Sequence, residues 1–422
     1  MRNWLMAGIL SACVVAAGTA RAATKLELVE VLTSPDRTEL LKKQIDAFEK
    51  ANPDITVEVV SLPWGQAFEK LLTMVQGGQR PDVVEMPERW LSLYANRGEL
   101  ESLEPYLAKW DETQNLSDRT LEVARSVNNT AYMLPYGFYL RGLFYNKKLF
   151  AQAGIANPPD TWDEFMEDSA KISQIPDKYG YCLRGAKGGF GGWQMLMAAF
   201  NGTGDWFRPD GASTFNEPGA VKGLQFLVDL YQKGYAPKDS VNWGFNEIVA
   251  GFYSGNCAML DQDPDALIAV SQRMAPDDFA VAPMPKGPSG KSYTTLGFTG
   301  WSMFHASANK DAAWKLISTL GGAENNLAWS KFVGVIPTHK KAQQDPAFQG
   351  DKFAGWFKEL NDPAYVLISV PVYLEKLGYF YDVVSVPTAQ AMLLGKRTPQ
   401  DVADQWAKLL TDAQREWMAK NK

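Results

Sequence analysis

The sequence predicts an α/β protein built from two domains. Strand-like and helix-like segments alternate along it, the pattern of a sheet with crossover helices. Its 422 residues also exceed what one hydrophobic core usually serves. Lys25–Leu32 alternates toward a strand, and Ser34-Pro35-Asp36 opens an amphipathic helix with Leu41, Ile45 and Phe48 on one face. Asn52-Pro53 stops that helix. A second strand, Ile55–Ser61, leads to a helical pattern through Phe68, Leu71, Leu72 and Val75 that ends at Gly77-Gly78; a third strand covers Asp82–Glu85. Tyr132–Phe150 is almost wholly apolar apart from Arg141 and Asn146-Lys147-Lys148, and reads as an extended crossing between domains. The alternation then resumes: a helix over Trp162–Ile175, a strand over Tyr179–Arg184, a glycine-rich loop at Gly185–Gly192 and a helix starting near Trp193. Further strands are expected at Asn256–Leu260, Phe279–Pro283 and Gly300–His305. Val402, Trp406, Leu409, Leu410 and Ala413 give the tail, Thr398–Ala419, helical spacing. In such sheets a ligand sits beyond the carboxyl ends of the strands, so the loops at Thr33–Asp36 and Met86–Trp90 are the ones to watch.

The first 22 residues read as an export signal. Arg2 precedes an apolar stretch, Trp4–Ala17, and small residues at Gly18–Ala23 mark a cut after Ala22. The alternative is a lipid-anchored form through Cys13, disfavoured because the apolar run continues past it. Either way the mature chain works outside the cytoplasm, in the periplasm on the first reading. With 42 basic against 48 acidic residues, the chain lacks the basic face that nucleic acid or an anionic membrane would want. Cys182 and Cys257 permit at most one bridge, and the preferred reading makes them two small buried hydrophobes. Two histidines and no HExxH or CxxC give a zinc site or a His-based triad nothing to stand on, so no metal or cofactor is expected. The 14 tryptophans and 16 tyrosines suit a cleft for a ligand with apolar faces and hydroxyl edges.

Three motifs fall in family order: Gly77-Gly78-Gln79-Arg80-Pro81-Asp82-Val83-Val84; Leu134-Pro135-Tyr136-Gly137 followed by Phe144-Tyr145-Asn146-Lys147; and Phe252-Tyr253-Ser254-Gly255-Asn256-Cys257-Ala258-Met259. Together they resemble family 1 extracellular solute-binding proteins of ATP-binding-cassette (ABC) importers, the group that includes the maltose-binding protein. The resemblance implies the two-lobed type II periplasmic-binding fold, with an N-lobe at 23–139 and 285–338 and a C-lobe at 140–284 and 339–422. It also implies a monomer that captures a sugar by lobe closure, delivers it to permease subunits and catalyses nothing.

Candidate ligand residues follow from loop position and from that resemblance. Trp301, within Gly297-Phe298-Thr299-Gly300-Trp301, stands where similar proteins stack an aromatic on sugar; the bland alternative is core packing. Gly189 and Phe190 belong to the run Gly188-Gly189-Phe190-Gly191-Gly192-Trp193, which lacks the Lys-Ser/Thr of a P-loop and is read as a stacking site. Tyr139 occupies a hinge position where the maltose-binding protein has a glutamate, a departure that argues against maltose itself. Arg141 would need a carboxylate or an anionic ligand group if buried; a structural salt bridge is the alternative. Glu85, Met86 and Trp90 follow the third strand. Asp261 and Asp263, in Asp261-Gln262-Asp263-Pro264-Asp265, offer acceptors to hydroxyls; calcium or a solvated turn are the alternatives. Ser34 and Asp36 suit a helix cap, and the first loop also donates to ligand in similar proteins. Tyr379 is a candidate last ring. Two rivals stay open: a non-sugar solute such as a polyamine, an amino-acid derivative or an anionic sugar, and an exported glycoside hydrolase using Glu85, Asp261 and Asp263.

Overall fold

A computed structural model describes residues 23–348 and 351–421; the export signal and Cys13 lie outside them. Among the described residues ten strands form two sheets: β1 (Thr24–Glu30), β2 (Ile55–Ser61), β3 (Val83–Pro87), β4 (Leu134–Leu140), β5 (Gly142–Asn146), β6 (Tyr179–Tyr181), β7 (Cys257–Gln262), β8 (Phe279–Ala282), β9 (Ser292–Met303) and β10 (Tyr365–Ile368). The first sheet runs β10-β9-β3-β1-β2 with β4 also paired to β9; the second runs β6-β7-β5-β8. In the first, β2, β1 and β3 are parallel, whereas β9 lies antiparallel to β3 and β4. Crossover helices cover the parallel part. Helix Pro35–Ala51, capped by Ser34 accepting the Arg37 N–H, buries Leu41, Ile45 and Phe48, the face that the 3.6-residue periodicity marks.

Tyr132–Phe150 does cross between sheets: β4 belongs to the first, β5 to the second, and Arg141 is the single residue between them. All strand partners of β9 lie in the first sheet, yet its amino-terminal end also touches the second-sheet side of the molecule. Ser292–Thr295 pairs with β10, and the Tyr293 hydroxyl donates to the Gly202 carbonyl at 2.5 Å among second-sheet helices; Thr299–Met303 pairs with β3. The expected strand at Gly300–His305 is the second half of this longer one, because its glycines sit in extended pairing with β4 rather than in a loop.

Cys182 and Cys257 are bonded, their Cα atoms 5.4 Å apart, which corrects the reading of two free thiols. The bridge ties the end of β6 to the start of β7, strands that already pair in parallel. Among the described residues no helix is long and apolar enough to cross a membrane.

Candidate functional site

The carboxyl ends of strands in both sheets converge on one cavity of about 950 Å³. From the first sheet come Thr33–Arg37 after β1, Trp64 after β2 and Glu88 and Arg89 after β3. From the second come Arg184 and Gly188 after β6, Gln262 at the end of β7, and Asp263 and Asp265 beyond it. Thr295, Gly297 and Thr299 enter from β9, which antiparallel pairing turns so that its amino-terminal half lies beside the carboxyl end of β3. A volume of this size suits a small organic ligand.

Its walls are arginines backed by acids. Glu85 accepts the N–H groups of Val31 (2.7 Å) and Leu32 (2.8 Å), Arg37 Nη2 (3.1 Å) and the Tyr136 hydroxyl (2.5 Å). It thereby fixes the loop after β1 and aims Arg37 at the cavity. Arg141 pairs with Asp261 at 2.6 Å and donates to the Gly188 carbonyl at 2.9 Å. Arg89 pairs with Glu88 at 3.2 Å and lies between two rings, 4.7 Å from the centre of Trp64 and 5.2 Å from that of Tyr381. Arg184 differs: it donates to the Lys187 carbonyl and to Gln262, with no carboxylate in ion-pair contact among the described residues. Burial, reinforced by nearby Arg141, pulls its pKa down to about 10. The acids move the other way. Burial pushes Asp263 up, and burial with Asp263 beside it pushes Asp265 up to about 7. Gly188 sits at φ +87°, and a β-carbon there would lie 2.2 Å from the Arg184 guanidinium, so any other residue would be strained and would displace Arg184.

Polar contacts bridge the two rims. Lys187 of the second sheet's side reaches Glu69 at 2.6 Å, and Gln272 donates to Asp36 at 3.2 Å.

The family model for bacterial extracellular solute-binding proteins matches residues 34–327. The chain belongs to that family. A maltose-bound solute-binding protein of T. maritima, MalE3, superposes with a TM-score of 0.81 at 27% identity, covering 92% of this chain and 99% of its own. An Agrobacterium vitis S4 ABC-transporter solute-binding protein with bound D-mannitol gives 0.76 at 25% identity, covering 94% and 99%. The mannitol-binding protein of Pseudomonas aeruginosa is 28% identical over 327 residues, 74% of this chain and 72% of its own. The fold of this solute-binding protein is therefore the two-lobed periplasmic-binding type expected.

Within it, Ser34, Asp36, Tyr139, Arg141 and Asp263 line the cavity. The other candidates do not. Trp301 has the same parity along β9 as Thr299, but it lies one step deeper, opposite Glu85, and packs on Tyr136 with ring centres 5.4 Å apart. Phe190 starts a helix and turns back into a cluster with Trp206, Phe380, Tyr381 and Trp406. Gly189 is that helix's N-cap, pressed on Trp193 and the Arg184 carbonyl. Met86 is core. Trp90 stacks behind Trp64 at 5.5 Å, and its indole N–H donates to Asp382 at 2.9 Å. Glu85 and Asp261 lie behind the wall, paired with Arg37 and Arg141. Tyr379 is 49% exposed and borders a separate hollow of about 520 Å³, while Tyr381, two residues on, reaches the cavity. Sequence reasoning also missed Arg37, Trp64, Glu88 and Arg89, whereas Asp265 belongs to the acidic run it marked. Pro63-Trp64, immediately after a predicted strand, was the available signal for the ring.

Proposed function

We propose that the chain captures a small polyhydroxylated solute, a sugar or polyol, in this cavity and hands it to an ABC importer without transforming it. The observation that carries the reading is the wall itself: donor-only guanidiniums alternate with carboxyl groups beside the rings of Trp64 and Tyr381, between which Arg89 lies. Such a wall matches hydroxyl edges and C–H faces. Relatives that hold maltose and D-mannitol support it. A hydrolase is disfavoured because Glu85 and Asp261, two of its three drafted carboxylates, lie behind the wall, engaged by Arg37 and Arg141. The lobes we assign are 23–139 with the second half of β9 up to 338, and 140–284 with the first half of β9 and 339–422. We place the mature chain in the periplasm, as a monomer with permease subunits for partners. The disulfide agrees with an oxidising compartment. One observation favours a narrower version: Arg184, without a carboxylate partner, would receive a sugar acid.

A thermal-shift screen of the chain from Ala23 onward, against sugars, polyols, sugar acids, polyamines and amino acids, tests the reading. A ligand at 100 times its Kd adds about 2.7 kcal/mol. Stabilisation by a sugar, polyol or sugar acid, recovered unchanged after incubation, supports it; stabilisation only by polyamines or amino acids, or turnover of the sugar, refutes it.

A further inference from the structure

Two aromatic rings at one end of the cavity hold a side chain of the protein between them. Trp64 opens the helix after β2, Tyr381 lies in the chain beyond β10, and both border the cavity. The Arg89 guanidinium lies 4.7 Å from the first ring centre and 5.2 Å from the second. The other stacked partners of the two rings also come from the protein: Trp90 at 5.5 Å on Trp64, and Trp206 at 6.2 Å on Tyr381. Arg89 is held in this slot. It pairs with Glu88 at 3.2 Å and its Nε lies 3.9 Å from Asp382; both carboxyls are buried, and the arginine side chain is only 14% exposed. Withdrawing the guanidinium would strip both acids of their counter-charge. The Lys187–Glu69 pair closes the rim at this same end, where both of its charges act on Asp382.

We propose that Arg89 is a stopper: it fills the slot in which a saccharide unit would stack between Trp64 and Tyr381, and so limits how long a saccharide the cavity takes. This rests on the sugar or polyol reading above and adds a length limit to it. The apolar C–H face of a sugar and the flat face of a guanidinium both stack on indole and phenol rings, so the two compete for one slot. The tethered guanidinium holds it. A solute unit gives up translational and rotational freedom on entering, whereas Arg89 is already ordered there and neutralises Glu88 and Asp382. The solute therefore ends where Arg89 begins, and a homologue one unit longer toward that end is refused.

Calorimetric titration with solutes that differ by one unit tests this: D-mannitol against its α-D-glucoside, and D-glucose, maltose and maltotriose in series. Each is titrated into the wild type, Arg89→Ala and Arg89→Gln. In Arg89→Ala the affinity of the longer homologue relative to the shorter rises roughly tenfold or more, because the added unit gains a ring on either side. Methylguanidine added to that variant refills the slot and returns the ratio toward the wild-type value. The ratio is taken within one variant, so a loss of folded protein cancels from it. Arg89→Gln vacates the slot yet keeps a donor for the two acids, and it gives the same reading should Arg89→Ala not fold. A ratio that is unchanged or lower in a folded variant, or that methylguanidine leaves where it is, overturns the stopper while the sugar reading stands. A wild type that binds spermidine or glutamate but no sugar or polyol sinks the reading and the stopper together.

Discussion

Arg141 is the residue on which both lobes' chemistry turns. It stands alone between β4 and β5, buried, and neutralises an equally buried Asp261 at 2.6 Å. Arg141→Ala leaves that carboxylate uncompensated, and we expect a loss of about 3–5 kcal/mol in urea unfolding; Arg141→Ala unfolding like wild type would show Asp261 to be held by other donors. Glu30 gives a pH signature. Burial, with Glu85 nearby, pushes its pKa up to about 7 despite hydroxyl donors at Thr38 and Ser61, and Asp265 is raised to about 7 as well. Between the ordinary carboxylate range and pH 7 the folded state therefore holds protons that the unfolded chain has released. Stability falls as pH rises through that window. Melting points should be higher at pH 5 than at pH 8, and Glu30→Gln should narrow the gap; a melting point that climbs over this interval contradicts the assignment.

At the scale of elements, period and punctuation carried the reading far. Strands β1 and β2, the helix between them and the crossing near Arg141 were all legible, because hydrophobic periodicity and capping are local properties of the chain. The limits were physical too. Gly297 and Gly300 suggested a loop, but in β9 they are places where β4 and Tyr139 approach closely. Trp301 consequently lies one step too deep to line the cavity. The loop Met86–Trp90 was rightly singled out, yet Met86 and Trp90 pack inward while Glu88 and Arg89 face the cavity; which side chain points where depends on Trp64 and Asp382, far off in sequence. The Cys182–Cys257 bridge likewise needed β6 beside β7. It closes a loop of 75 residues, and removing it with Cys182→Ala and Cys257→Ala should cost about 2–4 kcal/mol. A melting point indifferent to a reductant would mean that the paired strands already hold that loop.

For the whole molecule, the cavity is closed by a few polar contacts across its rims. The Lys187–Glu69 pair is partly exposed, so Lys187→Ala should change ligand affinity only slightly, by about 0–1 kcal/mol and less in high salt. A larger effect in a titration would make it a true latch. Trp64 reports on occupancy: its ring carries the Arg89 guanidinium on the cavity wall. Ligand binding should alter tryptophan emission, and Trp64→Phe should remove most of that change while Trp301→Phe should not.

β4, which leads through Arg141 into the second sheet, and β9 are hydrogen-bonded to each other beside that crossing, where Phe138, Tyr139 and Leu140 face Phe298, Gly297 and Leu296. The link between the lobes is therefore a twisted two-stranded ribbon rather than a pair of loose threads. Such a ribbon bends and turns readily but resists extension, so it acts as a torsion bar. Opening the cleft to admit or release a solute would wind this bar while both hydrophobic cores stay shut, and the same ladder would set the angle to which the lobes return.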